Sequence, residues 1–324
     1  MYTSDELTKM VNEAIEAIAY ERRPKSLYAP MKYVLSLGGK RIRPVLMLMA
    51  ADMYGLDPKS IMNQAVAIET YHNYTLLHDD LMDNADMRRG HATVHNKWDA
   101  NTAILSGDAM LVMAYKIMAS CDNSKLRDVI DLFTETALEI GEGQQYDMDF
   151  ENRMDVGEEE YIEMIRLKTS VLLACSLKIG AILAGAPSRD QDCLYKFGEL
   201  IGLAFQLQDD LLDVYGDPSV FGKNIGGDIT SNKKTYLLIN ALGKADGNRR
   251  SVLEHWLELK EFDREEKIRV IKGLYDELGI REMCSAKIEG YFSESRRQLE
   301  QLNIPSDSKN SLKSFTSKLM NRTY

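Results

Sequence analysis

Two short stretches carry the same acidic signature: Asp79-Asp80-Leu81-Met82-Asp83 recurs as Asp209-Asp210-Leu211-Leu212-Asp213. If both are helical, the first and last aspartates of each stretch are four residues apart and stack on one face. Like charges at that spacing repel, and aspartate is a poor helix former, so each stretch breaks local rules twice. Such breaches are expected where function demands them. A single stretch could equally be a solvated acidic surface, but two copies embedded in YTLLHDDLMD and FQLQDDLLD weigh against chance. Hard carboxylate oxygens suit Mg²⁺, which takes one or two protein carboxylates and completes its shell with water and phosphate oxygens.

Cations follow each acidic stretch. Arg88-Arg89-Gly90 begins five residues after Asp83, and Gly222-Lys223-Asn224-Ile225-Gly226-Gly227-Asp228 begins nine after Asp213, with Lys233 and Lys234 beyond. Glycines let backbone approach phosphate, arginine offers paired hydrogen bonds and lysine a point charge. A third basic cluster, Gly38-Gly39-Lys40-Arg41-Ile42-Arg43-Pro44, reads on its own as a surface turn before a helix.

The elements that must position these residues are helical. Between Pro and Gly breakers the apolar residues recur at helical spacing, with no persistent strand-like alternation. One helix is expected from about Ile61 to Asp83, with Ala65, Ile68, Tyr71, Thr75 and Leu76 on a broad face. A second is expected from Glu158 to Ala184, capped by Asp155, and a third from Gln191 to Tyr215. Loops are short, no linker or short-period repeat is visible, and the segment after Pro305 is polar and expected to fray. The expectation is an all-α fold in one domain spanning residues 1–324.

Composition supports this. The chain has 324 residues, 44% hydrophobic and 28% charged, with only 7 prolines, enough to bury a large core under a charged surface. Its 50 acidic and 40 basic residues give a formal charge of -10, which opposes general binding to nucleic acid or anionic membrane. Any anionic substrate therefore needs local cations. Cys121, Cys175, Cys193 and Cys284 lack metal-ligand spacing and read as buried reduced thiols, which fits a cytoplasmic protein. The first residues lack a secretory signal, and the longest apolar stretch, Val171 to Pro187, is interrupted by Lys178 and is short for a membrane span.

Six elements, GGKRIRP, HDDLMDNADMRRG, GQQYD, KTS, FQLQDDLLD and GKNIGGDITSNKKT, stand in order between about Tyr28 and Leu242. In these the sequence resembles the trans-prenyltransferase family of farnesyl and geranylgeranyl diphosphate synthases. The resemblance implies a bundle of long helices around a central deep pocket, the isoprenoid synthase fold, as a homodimer. It implies that Asp79 and Asp83 ligate Mg²⁺ on one wall and Asp209 on the other, with Asp80, Asp210, Asp213 and Asp147 in lesser roles. Three Mg²⁺ ions would be present with diphosphate bound.

By the same resemblance, Arg88, Lys168, Lys223 and Lys233 hold the allylic diphosphate (dimethylallyl, geranyl or farnesyl), and Lys40, Arg43, His72 and Arg89 hold isopentenyl diphosphate. Lys168, Thr169 and Gln206 would stabilise an allylic cation. A lone helical histidine is more often a packing residue, but His72 stands at the family's substrate position. His78, His91 and His95 gain less from the comparison, and His255 gains nothing.

The implied reaction is ionisation, condensation and proton elimination, giving an all-trans product. Tyr74, five residues before Asp79, and Tyr71, one turn further, are expected to form a floor that stops growth at twenty or fifteen carbons, with twenty ahead. Leu105, Met110 or a dimer neighbour could serve instead, and both tyrosines could be ordinary core aromatics. The rival readings are a longer-chain synthase, a class I terpene cyclase, a His-Asp metal phosphohydrolase and a non-catalytic regulatory subunit. The second DDLLD followed by GKNIGGD favours chain elongation over cyclisation, the phosphohydrolase leaves that stretch and GGKRIRP unexplained, and the presence of all six motif aspartates favours catalysis over a regulatory role.

Overall fold

The computed structural model describes residues 2–18, 22–217 and 225–320. The chain is all-α, as expected; the described strands are the two-residue pair β1 (Met87–Arg88) and β2 (His91–Ala92). Two compact units are resolved.

The first unit comprises Met1–Thr134, Cys175–Leu194 and Leu302–Lys313. It holds α1 (Ser4–Glu16), α2 (Lys25–Ser36), α3 (Ile42–Met53), α4 (Met62–Met82), the β1–β2 hairpin, α5 (Val94–Lys97) and α6 (Ala100–Met118). Thr3 starts α1 with a capping box: its side chain accepts from the Glu6 amide while the Glu6 carboxylate accepts from the Thr3 amide. Helix α3 is apolar nearly all round, and Val45 to Ala51 are all buried, the pattern of a helix enclosed by others. Helix α4 packs mainly against α6 and α3 and buries Ala65, Ile68 and Tyr71. Its bounds fall within a residue of the expected Ile61 to Asp83.

The second unit comprises Glu135–Ala174, Tyr195–Gln301 and Ser314–Tyr324. It contains most of α7 (Leu126–Glu151), then α8 (Glu158–Ile165), a π-helical turn at Arg166–Ser170, the start of α9 (Val171–Leu183) and most of α10 (Ser188–Tyr215). After these come α11 (Gly227–Thr230), α12 (Tyr236–Lys244), α13 (Gly247–Glu258), α14 (Arg264–Glu277) and α15 (Ile280–Glu300).

Three local expectations are corrected. The helix expected from Glu158 to Ala184 starts at Glu158 but is divided by the π turn, and its N-cap is Gly157, whose amide donates to the Glu160 carboxylate at 3.1 Å. Asp155 instead accepts from Arg153 Nε at 2.8 Å. Helix α10 starts at Ser188, three residues earlier than expected. The polar stretch after Pro305 forms a short 3₁₀ turn and α16 (Asn310–Met320), because Leu312, Thr316 and Leu319 give it a buried face.

None of the four cysteines is in a disulfide; Cys175, Cys193 and Cys284 are buried, and Cys121 only partly so. Among the described residues no helix is long and apolar enough to cross a membrane.

Candidate active site

In the first unit, α4 carries Asp79 and Asp80 in its last turn and ends at Asp83. Carboxylates there face the negative end of the helix dipole, so nearby cations matter. Arg88 supplies one: its Nε donates to Asp80 Oδ1 at 2.8 Å, and Nη2 lies 3.7 Å from Asp79 Oδ2. The return from α4 to β1 and β2 uses left-handed backbone at Asn84, Arg89 and Gly90, which brings Arg88 back over the helix end. Burial pushes the Asp80 carboxyl up, against the opposing pull of Arg88. Asp79 is half-buried and Asp83 exposed.

The Gly38–Arg43 turn in the same unit builds a basic cluster. Arg41 has left-handed backbone, φ 48°, and a buried guanidinium. Its Nε donates to Asn12 Oδ1 at 3.0 Å, Nη1 to Glu69 Oε1 at 2.7 Å and Nη2 to the Leu35 carbonyl at 2.9 Å. This buried anchor fixes the turn, so that Lys40 is exposed and Arg43 reaches α4, where its Nη1 lies 3.0 Å from His72 Nε2. Arg89 donates to the Gly38 carbonyl, and its guanidinium fills the space that a side chain on Gly39 would need.

Burial pushes Arg43 down to about 10, with Glu69 opposing and Arg89 reinforcing, so it stays charged at neutral pH. Burial and the neighbouring arginines hold His72 well below the usual histidine range. A neutral His72 accepts from Arg43 through Nε2. The result is a partly desolvated cationic patch in which Glu69 is the buried counter-charge.

In the second unit, Lys168 and Thr169 sit on the π turn. Two glycines make room for it: side chains at Gly143 or Gly202 would collide with the backbone at Leu167 and Lys168 or with Ser170. Arg166 anchors the turn through two 2.8 Å bonds to Glu163, with Glu139 at 3.3 Å and Glu199 at 3.4 Å. π turns recur at functional sites, and this one presents two adjacent polar side chains.

Lys168 Nζ donates to Asp147 Oδ2 at 2.6 Å, and Lys233 Nζ is 3.8 Å from the same oxygen. Burial would raise the Asp147 carboxyl, but the two lysines outweigh it and lower it. Thr169 Oγ1 donates to Gln206 Oε1 at 3.1 Å, Gln206 Nε2 donates to Asp210 Oδ1 at 3.2 Å, and the Tyr161 hydroxyl donates to Asp210 Oδ2. Burial and the Asp228 carboxylate push Asp210 up to about 7 despite those hydrogen bonds. Asp213 accepts from the Asp228 amide at 3.0 Å, and Asp209 is half-buried on the same helix. Lys223 lies outside the described residues.

The donor chemistry fits Mg²⁺. Among the described residues no three His, Cys, Asp or Glu side chains converge closely enough to hold a metal unaided. Mg²⁺ takes one or two protein carboxylates and draws its other ligands from phosphate and water, and the side chains of both acidic stretches are carboxylates. Asp80 is engaged by Arg88, and Asp210 by Tyr161 with Gln206.

Tyr71 is buried and Tyr74 half-buried, their ring centroids 5.4 Å apart. Tyr71 also meets Phe133 edge-on at 5.1 Å, and Tyr115 lies 4.8 Å from Phe133. An aromatic cluster thus sits on α4 upstream of Asp79. Of the alternative floor residues, Met110 is fully buried and Leu105 is 60% exposed.

The sequence profile of the polyprenyl synthetase family matches residues 24–275. The chain belongs to that family. A geranylgeranyl diphosphate synthase from Methanosarcina mazei is 43% identical over 72% of this chain and 73% of its own. A geranylgeranyl pyrophosphate synthase from Geoglobus acetivorans is 38% identical over 98% and 97%. A crystal structure of a geranylgeranyl pyrophosphate synthase superposes with a TM-score of 0.95 at 45% identity, covering all of both chains. The fold is therefore that of the polyprenyl synthetases.

Reading the sequence missed several supporting residues of this family member. Glu69 and Tyr161 act on Arg41 and Asp210, 28 and 49 residues away in the chain, which no local pattern reveals. The Gly143 and Gly202 contacts were equally hidden. Asp228 stood inside a quoted motif, and its acidic type beside two glycines was the available signal.

Proposed function

We propose that this polyprenyl synthetase is a short-chain, all-trans prenyl diphosphate synthase that condenses isopentenyl diphosphate with allylic diphosphates, with geranylgeranyl diphosphate as its main product. The observation that carries this reading is that both aspartate stretches are intact and each unit supplies cations near its own: Arg88 on Asp79 and Asp80 in the first, and in the second Lys168 and Lys233 on Asp147, with Lys233 also acting on Asp210.

Asp79, Asp83 and Asp209 are the proposed Mg²⁺ ligands, with Asp80, Asp147, Asp210 and Asp213 in supporting roles. When bound, Mg²⁺, three ions with diphosphate in place, would neutralise charge on the departing diphosphate. Arg88, Lys168, Lys223 and Lys233 grip the allylic diphosphate and stabilise the charge that develops as the carbon–oxygen bond breaks heterolytically. Lys40, Arg43, His72 and Arg89 hold isopentenyl diphosphate, whose double bond attacks the allylic cation. Thr169 and Gln206, with Lys168 beside them, present oxygen dipoles to that cation. The proton eliminated goes to the released diphosphate.

Tyr74 and Tyr71 limit growth, which favours a twenty-carbon product over fifteen. The whole chain acts as one synthase domain. Exposed Ile104, Leu105 and Val112 on α6 offer an apolar face to a second copy, which supports a homodimer. Thiols outside any disulfide persist in reducing compartments, which supports a cytoplasmic location. Incubating the protein with isopentenyl diphosphate, Mg²⁺ and each allylic primer should give chiefly geranylgeranyl diphosphate by mass spectrometry. Failure to elongate any primer would refute the reading.

A further inference from the structure

Lys267, on α14, is fully buried, yet among the described residues it makes no ion pair. Its Nζ instead donates to Asn232 Oδ1 at 2.6 Å and lies 4.0 Å from the centre of the Phe262 ring. Removing an ammonium from water without a carboxylate partner is costly, and burial pushes this one down. A cation kept there at such cost calls for a reason beyond packing.

Its partner is also unusual. Asn232 has left-handed backbone, φ 56°, which asparagine tolerates better than most residues. Its Nδ2 donates to the Leu257 carbonyl at 2.9 Å. One side chain thereby ties the turn to both α13 and α14. Around it, the Lys233 amide donates to the Asp228 carbonyl at 2.9 Å, and the Thr235 amide donates to the Lys233 carbonyl at 2.9 Å. Those backbone bonds fix the shape of the turn, whereas the Asn232 tether fixes where it sits. The residue that follows Asn232 is Lys233, whose Nζ reaches to 3.8 Å from Asp147.

We propose that Lys267 and Asn232 form a brace that positions Lys233 for the allylic diphosphate; this rests on the reading of Lys233 as a diphosphate ligand. Both are positioning residues, since they act through Lys233.

Three variants test the brace. Lys267→Met keeps the length of the side chain and removes its charge. Asn232→Gly accepts φ 56° without strain and removes the tether, so it serves even if the first variant fails to fold. The third combines both. Each single variant should raise KM for the allylic diphosphate about tenfold and leave KM for isopentenyl diphosphate unchanged, and the double variant should be no worse than either. Amide exchange across residues 228–235 should speed up in all three. An allylic KM at the wild-type value in Asn232→Gly, multiplying effects in the double variant, or unchanged exchange would overturn the proposal. Faster exchange in a protein that turns over no substrate would support the brace while refuting the functional reading on which Lys233 depends.

Discussion

Arg43 Nη1 and His72 Nε2 lie 3.0 Å apart, one on α3 and the other on α4. The contact requires a neutral imidazole, because an imidazolium would place two cations against each other among Arg41, Arg88 and Arg89.

In the free protein, His72 should therefore stay neutral as pH falls through about 6.5, the ordinary histidine value. Because the folded state resists the proton that the unfolded chain accepts, stability should fall as pH drops below that value. It should level off once the lower folded-state pKa is passed. Imidazole nitrogen shifts followed by NMR, together with urea unfolding of wild type and His72→Asn against pH, would check this. Pyrophosphate should raise the pKa by neutralising the arginines. Titration of His72 near 6.5 without ligand would contradict the assignment.

Arg41 and Glu69 are both nearly fully buried and pair at 2.7 Å. Glu69→Gln leaves a buried guanidinium without its counter-charge and should cost about 3–5 kcal/mol. Replacing both partners at once, as Arg41→Met with Glu69→Leu, should recover much of that loss. Urea unfolding of the single and double variants gives the comparison, and a Glu69→Gln midpoint equal to wild type would refute it.

What could be read from the sequence were the features carried by short spacing. The helix holding Asp79 and Asp80 is a local pattern whose bounds match the expectation, and the contiguous Arg88 and Arg89 are equally local, with Arg88 contacting the acidic stretch that it follows. The π turn at Arg166–Ser170 did not show itself, because it is imposed by close packing of Gly143 and Gly202 on residues distant in the chain. Asp155 looked like a cap by type, but Arg153 engages its carboxylate while Glu160 satisfies the first amide. The C-terminal helix was misjudged because its apolar face is sparse, and burial rather than composition holds it.

Tyr74 tests chain length with less damage to the fold than Tyr71, since it is only half-buried. Tyr74→Ala should shift the product beyond twenty carbons, by about one isoprene unit for each helical turn of about 5.4 Å that is opened. Tyr71→Ala should lengthen it further but cost about 3–5 kcal/mol, as truncating a buried aromatic does. Mass spectrometry of the products decides this; an unchanged distribution in Tyr74→Ala would move the floor elsewhere.

The most direct test compares turnover of Asp79→Ala and Asp209→Ala with wild type under saturating Mg²⁺, using labelled isopentenyl diphosphate and an allylic primer. Each substitution should lower kcat by roughly a thousandfold, comparable to the loss of one strong charge-stabilising group. Circular dichroism melting should be unchanged, and chelation should abolish wild-type activity. Near-normal product formation by either variant, or wild-type turnover that survives chelation, would contradict a mechanism in which both aspartate sets serve metal-assisted departure of diphosphate.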